Sequence, residues 1–246
     1  MGYGDRMTDR ADAVIESDPR LERVLDAAGE LLLRWGYRRV TIEEVARHAG
    51  IGKGTVYLHF PTKEALFLTV LLRAQRRSVV QLTDRMLADP AEALLSRVTR
   101  SVYLAVEADP VLRALYLGDV AVLGRLTQEA AETLGELAAE RVRAVRRHLE
   151  LLRGAGCART DLGIDEQVHV LQAVTMGHFV LDGLPAAFTP RLDPEVRADL
   201  LAHTVAGALE VADPPHGALA AVVPQLIAVY TAVRDLFDEE WRRRVR

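Results

Sequence analysis

The sequence of 246 residues contains one cysteine, two lysines and no asparagine, and aromatic residues make up only 5% of it. A single cysteine, Cys157, excludes an internal disulfide framework and is typical of a reducing compartment, so we expect a cytoplasmic protein. Runs of β-branched residues are short, whereas Ala and Leu are abundant, which predicts an all-α fold. Half of the residues are apolar, enough for a sizeable core.

Segments suited to export or membrane insertion are also scarce. The first fourteen residues, MGYGDRMTDRADAV, have no apolar core of the kind found in signal peptides. The most apolar late stretch, 218–233, is interrupted by Pro224 and Gln225 and is shorter than the ~20 residues that a membrane span needs. We therefore expect no membrane partner. Residues 1–17 are polar and mixed in charge, which predicts a disordered N-terminal arm.

Charge is distributed unevenly along the chain. The net charge of −4 alone argues against a nucleic-acid partner. Between residues 20 and 77, however, eleven basic and six acidic side chains give +5, so the remainder carries −9. Both lysines, Lys53 and Lys63, lie in this basic segment. A basic N-terminal module on an acidic body is typical of a protein that binds DNA with one end.

The stretch 41–60, TIEEVARHAGIGKGTVYLHF, predicts two short helices joined by a tight turn. Thr41 and Glu44 form a capping box at the start of the first helix, and Gly50 suits its left-handed end. Apolar residues at helical spacing form one face of this helix: Ile42, Val45, Ala46 and Ala49.

The second short helix begins at Lys53 and has Val56 and Phe60 on its inner side. Two turns of helix are not stable alone in water, so neighbouring helices must support them. We expect Lys53 and Tyr57 to face solvent. This arrangement is a helix-turn-helix, whose second helix lies in the major groove of DNA.

The run AGIGKGTVYLHF, followed by PTKEALF, resembles the DNA-binding domain of the TetR family of bacterial regulators over roughly residues 20–71. The resemblance implies a three-helix DNA-binding domain at 18–78 and a larger helical domain for ligand binding and dimerisation at 79–246. Because one recognition helix reads few base pairs, we expect a homodimer that reads a palindromic operator in double-stranded DNA. Its second partner is a small-molecule effector.

The residues that we assign to DNA binding lie in or beside the motif. They are Arg39, Thr41, Lys53, Gly54, Thr55, Tyr57, Leu58, His59 and Lys63. Lys63 opposes the dipole of its helix, and the resemblance implies that it contacts a phosphate. Gly52 stands where relatives usually have Ser or Thr, so a capping hydroxyl is missing. Leu58 can contact only a thymine methyl. The alternative is ordinary packing of Tyr57 and a surface His59.

The body is predicted to be helical over 91–108, 111–118, 124–153, 165–183, 194–211 and 217–246. We assign effector binding to Tyr103, Tyr116, Gln172, Met176, His178 and Phe179, while ordinary core or dimer-seam packing is the alternative. His178 and Asp182 lie four residues apart, but no third ligand is evident, so we expect neither a metal nor a cofactor.

The resemblance also implies that the helices at about 165–183 and 194–211 form the dimer seam as a four-helix bundle. The residues expected to face the seam are Leu200, Leu201, Val205, Ala208 and Leu209. Residues 214–246 extend beyond the usual end of the family and have no assigned role.

These patterns predict a DNA-binding protein, and the resemblance to the TetR family implies a transcriptional regulator, more commonly a repressor, that leaves its operator when a small apolar ligand binds. Activation is the less common mode. The alternatives are a ligand-independent DNA-binding regulator and an all-helical enzyme with an accidental motif. The sequence contains no nucleophile elbow, no phosphate-binding glycine loop and no paired metal motif, so we expect no enzymatic activity.

Overall fold

A computed structural model describes residues 18–124, 126–185 and 187–245, with the backbone alone at 127–134. These residues form eleven α-helices and no β-strand, which confirms the all-α prediction. The predicted N-terminal arm, 1–17, lies outside the described residues.

Three short helices come first: α1 (Pro19–Trp35), α2 (Ile42–Ala49) and α3 (Lys53–His59). The predicted capping box of α2 is present, since the Glu44 amide donates to the Thr41 hydroxyl and the Glu44 carboxylate accepts from the Thr41 amide at 2.8 Å. Gly50 ends α2 in the left-handed conformation, with φ of 68°. Gly52 precedes helix α3 and provides no side-chain cap, as expected from the missing hydroxyl. Local sequence signals thus set the bounds of the motif.

The long helix α4 (Lys63–Ala88) leaves this unit and enters the body. Its first half packs against α1, and the helix also packs against several body helices. The domain boundary predicted at 78 falls inside this continuous helix. A rigid helix of 26 residues therefore joins the N-terminal helices to the body.

The body follows a 3₁₀ turn (Pro90–Ala93). Its helices are α5 (Leu95–Ala108), α6 (Pro110–Leu117), α7 (Val120–Leu123), α8 (Leu126–Gly154), α9 (Ile164–Asp182), α10 (Pro194–Leu209) and α11 (Ala218–Arg244). Asp109 and Asp119 cap α6 and α7 by accepting hydrogen bonds from backbone amides. The predicted helical stretches match these bounds within a few residues, but the short α7 was not predicted.

Helix α10 packs extensively against α5, and this packing corrects the predicted dimer seam. Leu201, Val205 and Leu209 are buried within the chain and do not face outward. They lie four residues apart and form one stripe, and that stripe faces α5. Leu200, one position away on the helix, is 46% exposed. Of the residues predicted to face the seam, Leu200 thus lies on the outward face of α10 and Ala208 is partly buried, whereas the other three belong to the core.

Helix α11 also corrects an expectation. It continues through Pro224 for 27 residues, so length and composition alone would let it cross a membrane, contrary to the prediction that this stretch is too short. In the structure it packs against α4 and α8. Its buried apolar residues are Val222, Val223, Leu226, Tyr230, Val233, Phe237 and Trp241. One side of the helix is thus part of the protein core, as in many soluble proteins.

Candidate nucleic-acid interface and body cluster

Helix α3 has a buried inner face and an exposed outer face. Val56 is completely buried, as is Phe60 directly after the helix, and both hold α3 against its neighbours. On the opposite side Tyr57 is 42% exposed and Leu58 is 71% exposed. Large apolar side chains that remain open to solvent favour a binding role for this face. The expected exposure of Tyr57 is confirmed.

Lys53 at the start of α3 forms an ion pair with Glu43 of α2. Its ammonium group lies 5.6 Å from the centroid of the Tyr57 ring. The hydrogen bond between the two side chains raises the pKa of Lys53 and lowers the pKa of Glu43, so both are charged at neutral pH. Because both side chains are exposed, the pair contributes little to stability. An incoming phosphate can therefore replace Glu43 as the partner of Lys53.

Lys63 has a structural role that the sequence does not reveal. Its ammonium group donates to the backbone carbonyl of Tyr37 and lies 4.3 Å from the centroid of the Tyr37 ring. The Tyr37 hydroxyl in turn donates to Glu64 at 2.9 Å. These contacts compensate for a cation in the first turn of α4, where the helix dipole disfavours it. An ammonium group has three donors, so a phosphate contact is compatible with this geometry.

Most of the other assigned residues are open to solvent. Arg39, Thr41 and Gly54 are exposed, and Thr55 and His59 are partly exposed. The Thr41 hydroxyl donates to Glu44 at 2.8 Å and is therefore engaged in the helix cap.

A Cβ added at Gly54 would meet no atom of the described protein within 4 Å. The backbone at this position is thus open to a close approach by a ligand. Six of the nine assigned residues thus lie on α3, while Arg39 and Thr41 lie just before α2 and Lys63 begins α4.

Sequence reasoning missed a contact between the body and the turn after α1. The Tyr37 amide donates to the Val122 carbonyl of α7 at 2.8 Å. Gly36 has φ of 74°, and a Cβ there would lie 2.6 Å from the Ala121 carbonyl oxygen. Only glycine permits this approach without strain. The short α7 therefore connects the body directly to the helix-turn-helix unit.

In the body, four of the six predicted effector residues come together. Tyr103 of α5 stacks on Phe179 of α9 with ring centroids 5.2 Å apart, and Tyr116 of α6 lies 5.7 Å from Phe179. His178 packs edge-on against Tyr103 at 6.3 Å. We call these four residues the aromatic cluster. Gln172 and Met176 lie on the exposed side of α9 and do not join it.

Buried polar groups border the aromatic cluster. The Tyr103 hydroxyl donates to Asp182, and Asp182 also pairs with Arg197 of α10. Burial raises the pKa of Tyr103 and lowers the pKa of His178, so both are neutral at pH 7. A cleft of about 180 Å³ opens beside them, lined partly by His178, Asp182 and Arg197.

Asp182 is already paired with an arginine, which argues against the metal site considered for His178 and Asp182. Among the residues that the structure describes, no group of three or more His, Cys, Asp or Glu side chains is arranged to hold a metal ion.

Comparisons with known proteins agree with this geometry. Residues 24–70 match the family model described as bacterial regulatory proteins, tetR family. The HTH-type transcriptional regulator UidR of Escherichia coli strain K12 is 30% identical over 69 residues, which are 28% of this chain and 35% of that protein. The chain thus spans about a third of the length of this curated relative.

Solved structures show the same fold over most of the chain. The fatty acid degradation regulator FadR from Bacillus halodurans has a TM-score of 0.60 at 16% identity and covers 78% of this chain and 97% of its own. A SmeT-triclosan complex has a TM-score of 0.58 at 22% identity, with coverage of 80% and 96%.

The fold and the sequence match lead to one assignment. An exposed two-turn helix, held by a capped partner helix and followed by a long connecting helix, coincides with the matched segment. Residues 24–70 therefore form a helix-turn-helix domain of the TetR family of bacterial regulatory proteins.

Proposed function

We propose that this protein is a cytoplasmic, homodimeric, DNA-binding transcription regulator, acting as a repressor that a small apolar ligand releases from its operator. The observation that carries the proposal is the open face of α3, on which Lys53, Tyr57 and Leu58 are exposed while Val56 holds the helix from behind. A helix presented in this way fits the major groove of DNA.

In this proposal the residues around α3 have two kinds of role. Lys53 exchanges Glu43 for a phosphate oxygen, and Leu58 contacts a thymine methyl. Tyr57 lies between them and contacts the backbone or a base edge. The remaining residues fix the position of the helix on phosphates and sugars: Arg39, Thr41, Gly54, Thr55, His59 and Lys63.

A palindromic operator requires two such helices related by twofold symmetry. The outward faces of α9 and α10 leave large apolar side chains exposed. These include Met176, Val180, Val196 and Leu200. We propose that this surface, in place of the buried stripe of α10, packs against its copy in the dimer. An exposed patch of this kind on two adjacent helices is typical of a protein interface.

The aromatic cluster supports an effector site between α5, α6 and α9. Aromatic walls with a few polar groups at the edge are characteristic of small-molecule sites. A ligand that separates Tyr116 from Phe179 would move α6 and the following α7, whose Val122 carbonyl binds Tyr37. Ligand binding and DNA binding would then favour different positions of the N-terminal helices.

DNA binding is tested by fluorescence anisotropy with labelled DNA from upstream of the protein's own gene. We expect binding at low ionic strength, and an affinity about tenfold lower when Lys53→Ala and Tyr57→Ala are combined, in line with ~1–3 kcal/mol for specific contacts. The matched control is Arg143→Ala, which removes an exposed cation from α8. Wild-type protein that ignores DNA at low salt, or a double variant that binds normally, would refute the proposal.

Two further measurements address the dimer and the effector. Sedimentation equilibrium should give twice the chain mass of 27.1 kDa. A screen of small apolar compounds should find some that release the DNA. If none does, the protein is a ligand-independent regulator.

A further inference from the structure

Helix α11 runs back along α4 toward the N-terminal helices. In the first half of α11, the Tyr230 hydroxyl is hydrogen-bonded to Nδ1 of His148 in α8 at 2.8 Å. Nε2 of His148 is hydrogen-bonded to the carbonyl of Ala93, which lies just after the end of α4. Two turns later Asp238 contacts Arg76 in the middle of α4. Because higher residue numbers in α11 meet lower numbers in α4, the two helices are antiparallel.

The contact between Arg76 and Asp238 is a buried ion pair. The Arg76 Nε donates to the Asp238 carboxylate at 2.5 Å, and the two side chains are only 10% and 6% exposed. Phe237 and Trp241 are buried on the same helix and exclude water from this region. A buried ion pair adds little net stability compared with apolar residues, but it is directional and can specify a unique register.

The same turn of α4 is held by α1 of the helix-turn-helix unit. Arg73 pairs with Glu22 at 2.8 Å and with Asp26 at 2.9 Å, and Arg77 pairs with Glu22 at 3.2 Å. Arg76 lies between these two arginines in the sequence. At this turn, α4 is therefore bound by α1 through Arg73 and Arg77 and by α11 through Arg76.

We propose that Asp238 is a positioning residue for DNA binding: through Arg76 it fixes the register of α4, and thereby the orientation of α1–α3 relative to the body. The expected effect on DNA affinity rests on the proposed function, in which the two recognition helices of a dimer must keep a defined spacing. The segment after Pro214 would thus act as a brace on the connecting helix.

The test replaces the ion pair by apolar residues, Arg76→Met with Asp238→Leu, so that neither charge is left buried alone. We expect a nearly unchanged thermal midpoint, since such replacements are often neutral or stabilising. DNA affinity should fall by about threefold to thirtyfold, the range typical of coupling through intervening residues. The single variant Asp238→Asn keeps an oxygen acceptor for Arg76 and should retain most of the affinity, but its thermal midpoint should fall because the Arg76 charge stays buried without a carboxylate.

The orientation of the N-terminal helices is measured without DNA by spin labels at Arg23→Cys in α1 and Arg147→Cys in α8, two exposed positions. Cys157 is completely buried, so it should stay unlabelled. Doubly labelled chains are diluted with unlabelled protein, so that each reports one distance within one chain. We expect a narrow distance distribution in the wild type and a clearly broader or shifted one in the apolar double variant.

The matched control is Asp235→Asn, which removes an exposed charge from the same helix and should change neither readout. An unchanged distance distribution in a stable double variant would refute the positioning role of Asp238. If the wild type fails to bind DNA but the distribution still broadens in the variant, the positioning role stands while the proposed function fails.

Discussion

Acidification should destabilise the fold through His148, which is completely buried between α8, α11 and the 3₁₀ turn. A carbonyl only accepts, so Nε2 donates to Ala93 at 2.8 Å and Nδ1 accepts from the Tyr230 hydroxyl at 2.8 Å. The contact with Tyr230 requires the neutral ring, because a protonated Nδ1 cannot accept, whereas Nε2 can donate to Ala93 in either protonation state. Burial lowers the pKa of His148 from 6.5 to about 4, and the Ala93 contact offsets part of that decrease.

The direction of this pH effect on stability follows from how many protons the folded and unfolded states bind. In the unfolded chain the imidazole keeps a pKa near 6.5, so below this pH the unfolded state binds more protons than the folded one. The stability contribution of the neutral histidine is complete above pH ~6.5 and is lost as the pH falls toward 4. At ~1.4 kcal/mol per pH unit, the free energy of unfolding should decrease by about 2 to 3 kcal/mol between pH 7.5 and 4.5.

Urea unfolding at several pH values measures this loss against the variant His148→Gln. The glutamine amide can donate to the Ala93 carbonyl and accept from Tyr230, but it does not titrate. Titrations elsewhere in the protein affect both proteins alike. We therefore expect the wild type to lose about 2 to 3 kcal/mol more than the variant over this range. A difference between the two proteins that is independent of pH would refute the assignment of a neutral, buried His148.

Two further substitutions test the N-terminal unit. Lys63→Ala should weaken DNA binding and reduce the slope of log affinity against log salt by about one unit. It should also lower the thermal midpoint, because the Tyr37 carbonyl loses the Lys63 donor. An unchanged slope in a salt titration would exclude a phosphate contact. Gly36→Ala should lower the free energy of unfolding by more than Gly118→Ala does, because both glycines have positive φ but only at Gly36 would the new Cβ meet backbone, 2.6 Å from the Ala121 oxygen. Equal losses in chemical denaturation would contradict the close contact with α7.

Much of the N-terminal unit could be predicted because its signals are local. The capping box at Thr41, the left-handed Gly50 and the uncapped start at Gly52 all depend on residues within one turn. The division of α3 into a buried Val56 and an exposed Tyr57 follows from helical period alone. For such features, neighbours in sequence are also neighbours in space.

The partners of individual charges could not be predicted in the same way. Lys53 meets Glu43 across ten residues, and Lys63 meets the carbonyl of Tyr37 across 26. Glu43 at the start of α2 has a sufficient local explanation in the helix dipole, so nothing in the sequence points to Lys53. These contacts exist only because the folded helices bring the groups together.

The sequence by itself determined that the chain is helical and where its helix-turn-helix lies, and it indicated Tyr103, Tyr116, His178 and Phe179 as candidate effector-binding residues. Tertiary structure alone decided which faces of α9 and α10 are buried, since both helices have apolar residues on more than one side and carry little directional signal. For that reason Leu201 proved to be core, and Gln172 and Met176 lie outside the aromatic cluster. The contact of α11 with α4 could not be predicted from the sequence either, because Asp238 and Arg76 are 162 residues apart and only the packing of the two helices brings them together.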